Sequence, residues 1–111
     1  MITVIKSPFV QYKLTILRNK KTSNTVFRQT MNEISYLIAS DVLQYVPFKK
    51  QSIQTPLKKM SGTVLGQPII LVPILRAGLG LLEGFAKFLP EAEKGHIGLY
   101  RDEQTYEPVE Y

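Results

Sequence analysis

The stretch Ile69-Ile-Leu-Val-Pro-Ile-Leu-Arg-Ala-Gly-Leu-Gly80 decides the fold of this chain. It begins as an apolar run, continues with a single cation, Arg76, and passes through a turn of small residues into what reads as a new helix. The run is too short to span a membrane and too apolar for a surface segment, so it predicts a buried strand. A buried strand that delivers a cation and a glycine turn to a helix start is how α/β proteins build anion sites. We therefore predict an anionic partner for Arg76, with helix capping or a salt bridge at the strand end as the alternative.

The composition is that of one small domain with few options for metal or thiol chemistry. The chain has 111 residues, of which 44% are hydrophobic, and no cysteine. The lack of cysteine excludes a disulfide scaffold, a thiolate nucleophile and a cysteine-based zinc site. The single histidine, His96, excludes a multi-histidine metal site, so no metal-ligating residues are predicted. No signal peptide or membrane-spanning run is evident, which predicts a cytoplasmic protein with no membrane partner.

The charge is unevenly distributed along the chain. Residues 1–60 carry ten Lys or Arg and two acids, whereas residues 61–111 carry four Lys or Arg and seven acids. Such asymmetry can indicate a basic arm for nucleic acid, two layers of one protein, or a piece of a larger one. The basic residues occur singly or in pairs without interleaved aromatic residues, a pattern that does not favour nucleic-acid binding.

Hydrophobic periodicity predicts helices that alternate with short strands. Ser7-Pro8 marks the start of a first helix, and a second helix with Asn24 or Thr25 as its cap should end before Pro47. The other predicted elements are strands at Ile2–Ile5, Pro68–Leu75 and Ile97–Tyr100, a hairpin over Ser52–Leu65, a helix over Leu79–Leu89 and an extended segment at Val109–Tyr111. Pro73 is awkward inside a strand because it removes a ladder donor, and it predicts an irregular strand end near Arg76. A strand as apolar as Ile69–Leu75 needs neighbours and cover on both faces, so we expect this chain to be part of a larger polypeptide.

Several segments together resemble the N-terminal half of uracil phosphoribosyltransferase. They occur in the order and at the approximate spacing of that family, and they are Pro8-Phe-Val-Gln-Tyr-Lys-Leu-Thr-Ile-Leu-Arg18, Phe27-Arg28, Val72-Pro-Ile-Leu-Arg-Ala-Gly-Leu-Gly80, Gly98-Leu-Tyr-Arg-Asp-Glu103 and Glu107-Pro-Val-Glu-Tyr111. The resemblance implies the type I phosphoribosyltransferase fold: an α/β parallel sheet with flanking helices and a small antiparallel hood hairpin, here incomplete at its C-terminal side. Residues 1–111 would then be the N-terminal part of a single domain, with a helical arm at 1–50, the hairpin at 51–66 and the start of the core sheet at 67–111.

The resemblance also implies a reaction. Enzymes of this family transfer ribose 5-phosphate from phosphoribosyl pyrophosphate (PRPP) to uracil, giving UMP and pyrophosphate in pyrimidine salvage with Mg²⁺ as cofactor. They assemble as dimers or larger homo-oligomers, and some have an allosteric GTP site near the region that corresponds to Lys13, Arg18 and Arg28. The family needs no protein nucleophile, so no catalytic residue is assigned.

The resemblance assigns PRPP binding to four residues. Arg76 and Arg101 are expected to contact PRPP, and the small residues Ala77 and Gly78 let the backbone approach its pyrophosphate. For Arg101 the alternative is an ion pair within its own strand, and for Gly78 it is a purely structural turn. Asp102 and Glu103 are not expected to act as a catalytic pair, because adjacent strand residues point to opposite faces.

The family's acidic pair followed by a Thr-Gly-Gly loop is absent, and so is its uracil-binding Gly-Leu-Gly-Asp segment. We therefore expect the isolated chain to lack transferase activity. A non-catalytic regulatory or assembly module and a basic RNA-binding domain remain as competing hypotheses, and base specificity, oligomeric state and GTP regulation stay open.

Overall fold

Three helices and seven short strands form the chain in a computed structural model that describes residues 1–111. The helices are α1 (Pro8–Arg18), α2 (Asn24–Val42) and α3 (Leu79–Phe88). The strands are β1 (Phe48–Gln54), β2 (Lys59–Leu65), β3 (Ile70–Leu71), β4 (Ile74–Leu75), β5 (Glu93–Lys94), β6 (Ile97–Arg101) and β7 (Pro108–Glu110). The mixed α/β class predicted from the sequence is confirmed.

The helix starts differ from the prediction in their capping side chains. Pro8 is the first residue of α1 as expected, but the side chain of Ser7 makes no capping hydrogen bond. In α2 the cap is Ser23, whose Oγ accepts a hydrogen bond from the backbone N–H of Val26 at 3.2 Å. Asn24 and Thr25 were therefore the wrong candidates, one and two residues too late. A side-chain cap of this kind stabilises a helix by about 1 kcal/mol.

The most closely packed part of the chain is the crossing of α2 and α3. Ser35 and Ala39 of α2 have no exposed surface at this crossing. The Ser35 Oγ accepts a hydrogen bond from the backbone N–H of Gly84 at 2.9 Å and donates one to the carbonyl of Asn32 at 2.6 Å. A Cβ atom at Gly84 would lie only 2.3 Å from the carbonyl carbon of Ser35, so the two helix backbones touch directly.

The predicted strand Pro68–Leu75 is two short strands with different neighbours. β3 pairs in parallel with β5, and β4 pairs in parallel with β6, with Ile74 opposite Ile97. The break falls at Val72-Pro73, because Pro73 has no N–H to donate and only its carbonyl joins the ladder, accepting from the Ile97 N–H at 3.2 Å. The strand predicted at Ile97–Tyr100 is confirmed as β6, which also pairs with β7 antiparallel. The sequence did not indicate β5.

Two other predictions differ from the structure at the N-terminal side. Residues Ile2–Ile5 form no strand, because no segment of the chain lies beside them to complete a ladder. The hairpin begins at Phe48, earlier than the predicted Ser52, and its strands pair from Phe48 opposite Leu65 to Gln54 opposite Lys59. It forms a separate two-stranded sheet, and every residue of β1 is exposed.

The chain is far more extended than a closed domain of its size. Its accessible surface is 9174 Å², whereas about 6,200 Å² is expected for a compact protein of this mass. Its radius of gyration is 18.3 Å, against about 13 Å for a compact chain of this length. Nine of the 111 residues are buried, so these helices and sheets do not close a core by themselves.

Candidate functional site

The turn between β4 and α3 is formed by Arg76, Ala77 and Gly78. The backbone N–H of Gly78 donates to the carbonyl of Ile74 at 2.8 Å, which folds the turn back onto β4. A Cβ atom at Gly78 would lie 2.6 Å from the Ile74 oxygen and 2.7 Å from its nitrogen, so no side chain fits there. The φ of Gly78 is −60°, and the requirement for glycine is therefore one of space, not of backbone conformation. Gly78 therefore has the structural role in the turn that the sequence analysis gave as an alternative to ligand binding.

The same turn presents hydrogen-bond donors that have no acceptor in the chain. The N–H groups of Leu79 and Gly80 donate to the carbonyls of Arg76 and Ala77 at 3.1 and 3.2 Å. The N–H groups of Arg76 and Ala77 themselves donate to no protein acceptor. These two free amides stand at the N-terminal end of α3, where the helix dipole favours negative charge.

The Arg76 side chain is exposed and makes no salt bridge. The one ion pair in the chain joins Lys13 to Glu33. Within residues 1–111, Arg76 therefore has no salt-bridge partner. A free guanidinium beside two free amides can hold an anion with several charge-assisted hydrogen bonds.

Arg101 lies at the same edge of the sheet. β4 and β6 are neighbouring parallel strands, with Leu75 opposite Gly98, and Arg101 is the last residue of β6. The carboxyl ends of parallel strands are where α/β proteins place their ligands. Arg101 makes no ion pair with Asp102 or Glu103, so that alternative is wrong. The structure thus brings both predicted arginines to one edge, although Arg101 does not line the cleft beside Arg76.

Asp102 organises the loop between β6 and β7. Its Oδ1 accepts hydrogen bonds from the N–H groups of Gln104 and Thr105, both at 2.8 Å. Because the N–H groups of Thr105 and Gln104 stabilise the ionised form, the pKa of Asp102 lies below its ordinary value of 3.8. The loop closes at Tyr106, whose φ of 60° is left-handed and whose N–H donates to the Asp102 carbonyl at 2.9 Å. A carboxylate held ionised in this way cannot act as a general acid near neutral pH.

An open cleft of about 380 Å³ lies beside the turn and contains residues that the sequence analysis missed. Its lining consists of Arg76, Leu99, Tyr100 and Tyr111. The rings of Tyr100 and Tyr111 are 5.8 Å apart. The two tyrosines come together only through the antiparallel pairing of β6 with β7, and no local sequence pattern predicts that register.

The chain's own residues do not form a metal site or a membrane span. No three His, Cys, Asp or Glu side chains cluster in a way that could hold a metal ion. Not one of the helices combines the length and the apolar character that crossing a bilayer requires. His96 is exposed.

The parallel strands β4 and β6 thus carry, at their carboxyl edge, a turn with free hydrogen-bond donors and a second arginine, which is where α/β proteins place their ligands. The family model described as uracil phosphoribosyltransferase matches residues 4–111. This chain therefore belongs to the uracil phosphoribosyltransferase family.

Individual relatives agree with the family assignment. The uracil phosphoribosyltransferase of Lactiplantibacillus plantarum is 48% identical over 109 residues, which cover 97% of this chain and 52% of the relative. That of Salinibacter ruber is 38% identical over 110 residues, covering 99% of this chain and 52% of the relative. A solved structure of a protein from Aquifex aeolicus superposes with a TM-score of 0.89 at 30% identity, covering 100% of this chain and 54% of the other. The chain spans about half the length of the curated relatives it matches.

Proposed function

We propose that the turn Arg76–Gly78 binds the pyrophosphate group of PRPP, and that the protein transfers the phosphoribosyl group to uracil in pyrimidine salvage. The observation that carries the proposal is the pairing of an unpartnered guanidinium with two unpartnered backbone amides, at the N-terminal end of α3. Both kinds of donor recognise phosphate oxygens. The family to which the chain belongs supplies the choice of PRPP and uracil over other phosphorylated ligands.

The proposed chemistry needs charge stabilisation more than it needs a nucleophile. The bond between ribose C1 and the pyrophosphate oxygen breaks, and its electron pair leaves with the pyrophosphate, while N1 of uracil forms the new bond to C1 and releases its proton to water. Negative charge therefore grows on the pyrophosphate oxygens in the transition state, and donors aimed at them lower the barrier. Arg76 and the amides of Arg76 and Ala77 would serve that purpose, with Arg101 as a second cation on PRPP.

Phosphoribosyltransferases generally use Mg²⁺ together with PRPP, but the residues of this chain do not fit a magnesium site of their own. No cluster of carboxylates is available, and the Oδ1 of Asp102 is occupied by two loop amides. No step of the proposal passes through the ion.

Assembly, location and regulation belong to the same proposal. We propose a homo-oligomer in the cytoplasm because the family resemblance implies both; the roughly 3,000 Å² by which the exposed surface exceeds that of a compact protein of this mass could equally be covered by the rest of a longer chain. GTP activation near α1 and α2 is the weaker part, since Lys13 already pairs with Glu33. Unchanged PRPP kinetics with and without GTP would contradict it.

Calorimetric titration of the 111-residue chain with pyrophosphate and with PRPP tests the binding step directly. We expect the variant Arg76→Gln to bind pyrophosphate roughly 10- to 100-fold more weakly, since a hydrogen bond to a charged group contributes about 1.5–3 kcal/mol. Lys58→Gln is the control, because Lys58 is an exposed cation in the hairpin loop, in neither the Arg76–Gly78 turn nor the helices assigned to GTP. Equal affinities for the wild type and Arg76→Gln would contradict the assignment of this turn.

A second experiment tests the reaction. The chain, joined at Tyr111 to the remaining C-terminal part of the Lactiplantibacillus plantarum enzyme, should form UMP from uracil and PRPP, and the 111-residue chain alone should not. An inactive but folded chimaera that still binds PRPP would instead favour the non-catalytic module. Salt-sensitive RNA binding that does not respond to PRPP would favour the RNA-binding hypothesis.

A further inference from the structure

The wall of the cleft beside Arg76 depends on a glycine in the neighbouring strand. Tyr111 lies against β6 where Gly98 leaves room for it, and its N–H donates to the Gly98 carbonyl at 2.9 Å. A Cβ atom at Gly98 would lie 2.7 Å from both Cδ2 and Cε2 of the Tyr111 ring and 2.5 Å from its carbonyl oxygen. Tyr100 flanks the same ring, with the two ring centres 5.8 Å apart. The missing side chain at position 98 therefore leaves the room in which the Tyr111 ring lies.

Arg76 forms the other side of this cleft and is not held by an acid. Its side chain lines the cleft together with Tyr111, is exposed, and makes no ion pair. A free arginine side chain samples many rotamers, and ordering it on an anion costs conformational entropy. Tyr111 lines the same open cleft as Arg76, so its ring takes up part of the space that is open to the guanidinium, although 65% of Tyr111 is itself exposed.

We propose that Tyr111, seated on Gly98, is a positioning residue that keeps the Arg76 guanidinium turned toward a bound pyrophosphate. The proposal rests on the proposed function, since it deepens the role of the same turn. Tyr111 acts through Arg76 and needs no hydrogen bond of its own to the ligand, so its ring matters and its hydroxyl does not.

Pyrophosphate titration of the 111-residue chain and its variants tests this role. Tyr111→Ala and Gly98→Ala should each weaken pyrophosphate binding roughly 3- to 10-fold, the range expected when one side chain loses its preorganisation. Tyr111→Phe should restore wild-type affinity because the ring remains. Gly95→Ala is the matched glycine control and should bind normally, since its Cβ atom would meet only a Val72 methyl group at 3.6 Å.

A double-variant cycle separates positioning from general structural damage. If Tyr111 acts through Arg76, adding Tyr111→Ala to Arg76→Gln should cause no further loss of pyrophosphate affinity. Wild-type affinity in Tyr111→Ala, or a loss that simply adds to that of Arg76→Gln, overturns the positioning role and leaves the proposed function standing. No pyrophosphate binding by the wild-type chain overturns both.

Discussion

The substitution Gly84→Ala, at the crossing of α2 and α3, should lower the free energy of unfolding. A Cβ atom added by Gly84→Ala would lie 2.3 Å from the carbonyl carbon of Ser35 and 2.4 Å from both its oxygen and the nitrogen of Tyr36. All three are backbone atoms, so no side chain can rotate away, and the helices must separate by about 1 Å to restore ordinary contact. Such overpacking costs about 1–3 kcal/mol. The separation also weakens the hydrogen bond from the Gly84 N–H to Ser35 Oγ, which contributes about 1 kcal/mol.

Alanine is a better helix former than glycine, and this difference raises the free energy of unfolding by about 1 kcal/mol. The expected net loss in the free energy of unfolding is therefore about 2 kcal/mol. With a urea dependence of about 1.5 kcal/mol per molar, the unfolding midpoint should fall by about 1.3 M, measured by circular dichroism. Gly80→Ala in the same helix is the matched control: its Cβ atom would meet only Cγ of Met31, at 3.2 Å, and that side chain is flexible. We expect the control to leave the midpoint unchanged or to raise it, and equal midpoints for the two variants would refute the close-crossing argument.

Three further outcomes follow from the hydrogen bonds and close contacts described above. Ser35→Ala should lower the free energy of unfolding by about 0.5–1.5 kcal/mol in urea titrations, because it removes the hydrogen bond that the Gly84 N–H donates to Ser35 Oγ between the two helices, and an unchanged midpoint would contradict this contribution. Gly78→Ala should weaken pyrophosphate binding at least about tenfold in calorimetry, because its Cβ atom would collide with Ile74 and unfold the turn Arg76–Gly78. Wild-type affinity in this variant would contradict the close contact between Gly78 and Ile74. The pKa of Asp102 is lowered, so its ionised form stabilises the loop above pH 3.8, and this stabilisation is lost as the pH falls through the lowered pKa. The protection of the loop amides, measured relative to their intrinsic exchange rate at each pH, should therefore fall below pH 3.8 in the wild type but much less in Asp102→Asn, which keeps Oδ1 but does not titrate, and Asp102→Ala should show little protection at any pH.

The features that the sequence predicted well are those set by neighbouring residues. The glycine after Arg76 and the helical spacing from Leu79 onward lie within a short stretch, so the turn and the helix are predicted there. The single buried strand predicted before Arg76 is wrong, because the run is two short strands in which Ile70 and Ile74 are exposed. The predicted irregularity at Pro73 has the same local origin, because a missing N–H acts at that residue. The assignment of PRPP binding to Arg76, Ala77, Gly78 and Arg101 stays a prediction.

The features that the sequence did not predict depend on partners that are distant along the chain. Ile2–Ile5 has good strand propensity but no neighbouring strand, and propensity alone does not build a ladder. β5 has two charged residues and exists only because β3 lies beside it. Ser35 looks like an ordinary polar residue in α2, and its burial follows from the approach of Gly84, 49 positions away.

The three glycines with no room for a side chain connect the fold to the site. Gly84 sets how closely α3 approaches α2, and Gly78 ties the beginning of the same helix to β4. Gly98 then admits Tyr111 against β6, the strand that pairs with β4. The turn Arg76–Gly78 is thus tied to β4 through Gly78, and the helix that follows it is tied to α2 through Gly84. Many of the large hydrophobic side chains in the rest of the chain are exposed. The contacts of Gly78 with Ile74 and of Gly84 with Ser35 join backbone atoms directly, so the start of α3 is held by close backbone packing even where the surrounding core is open.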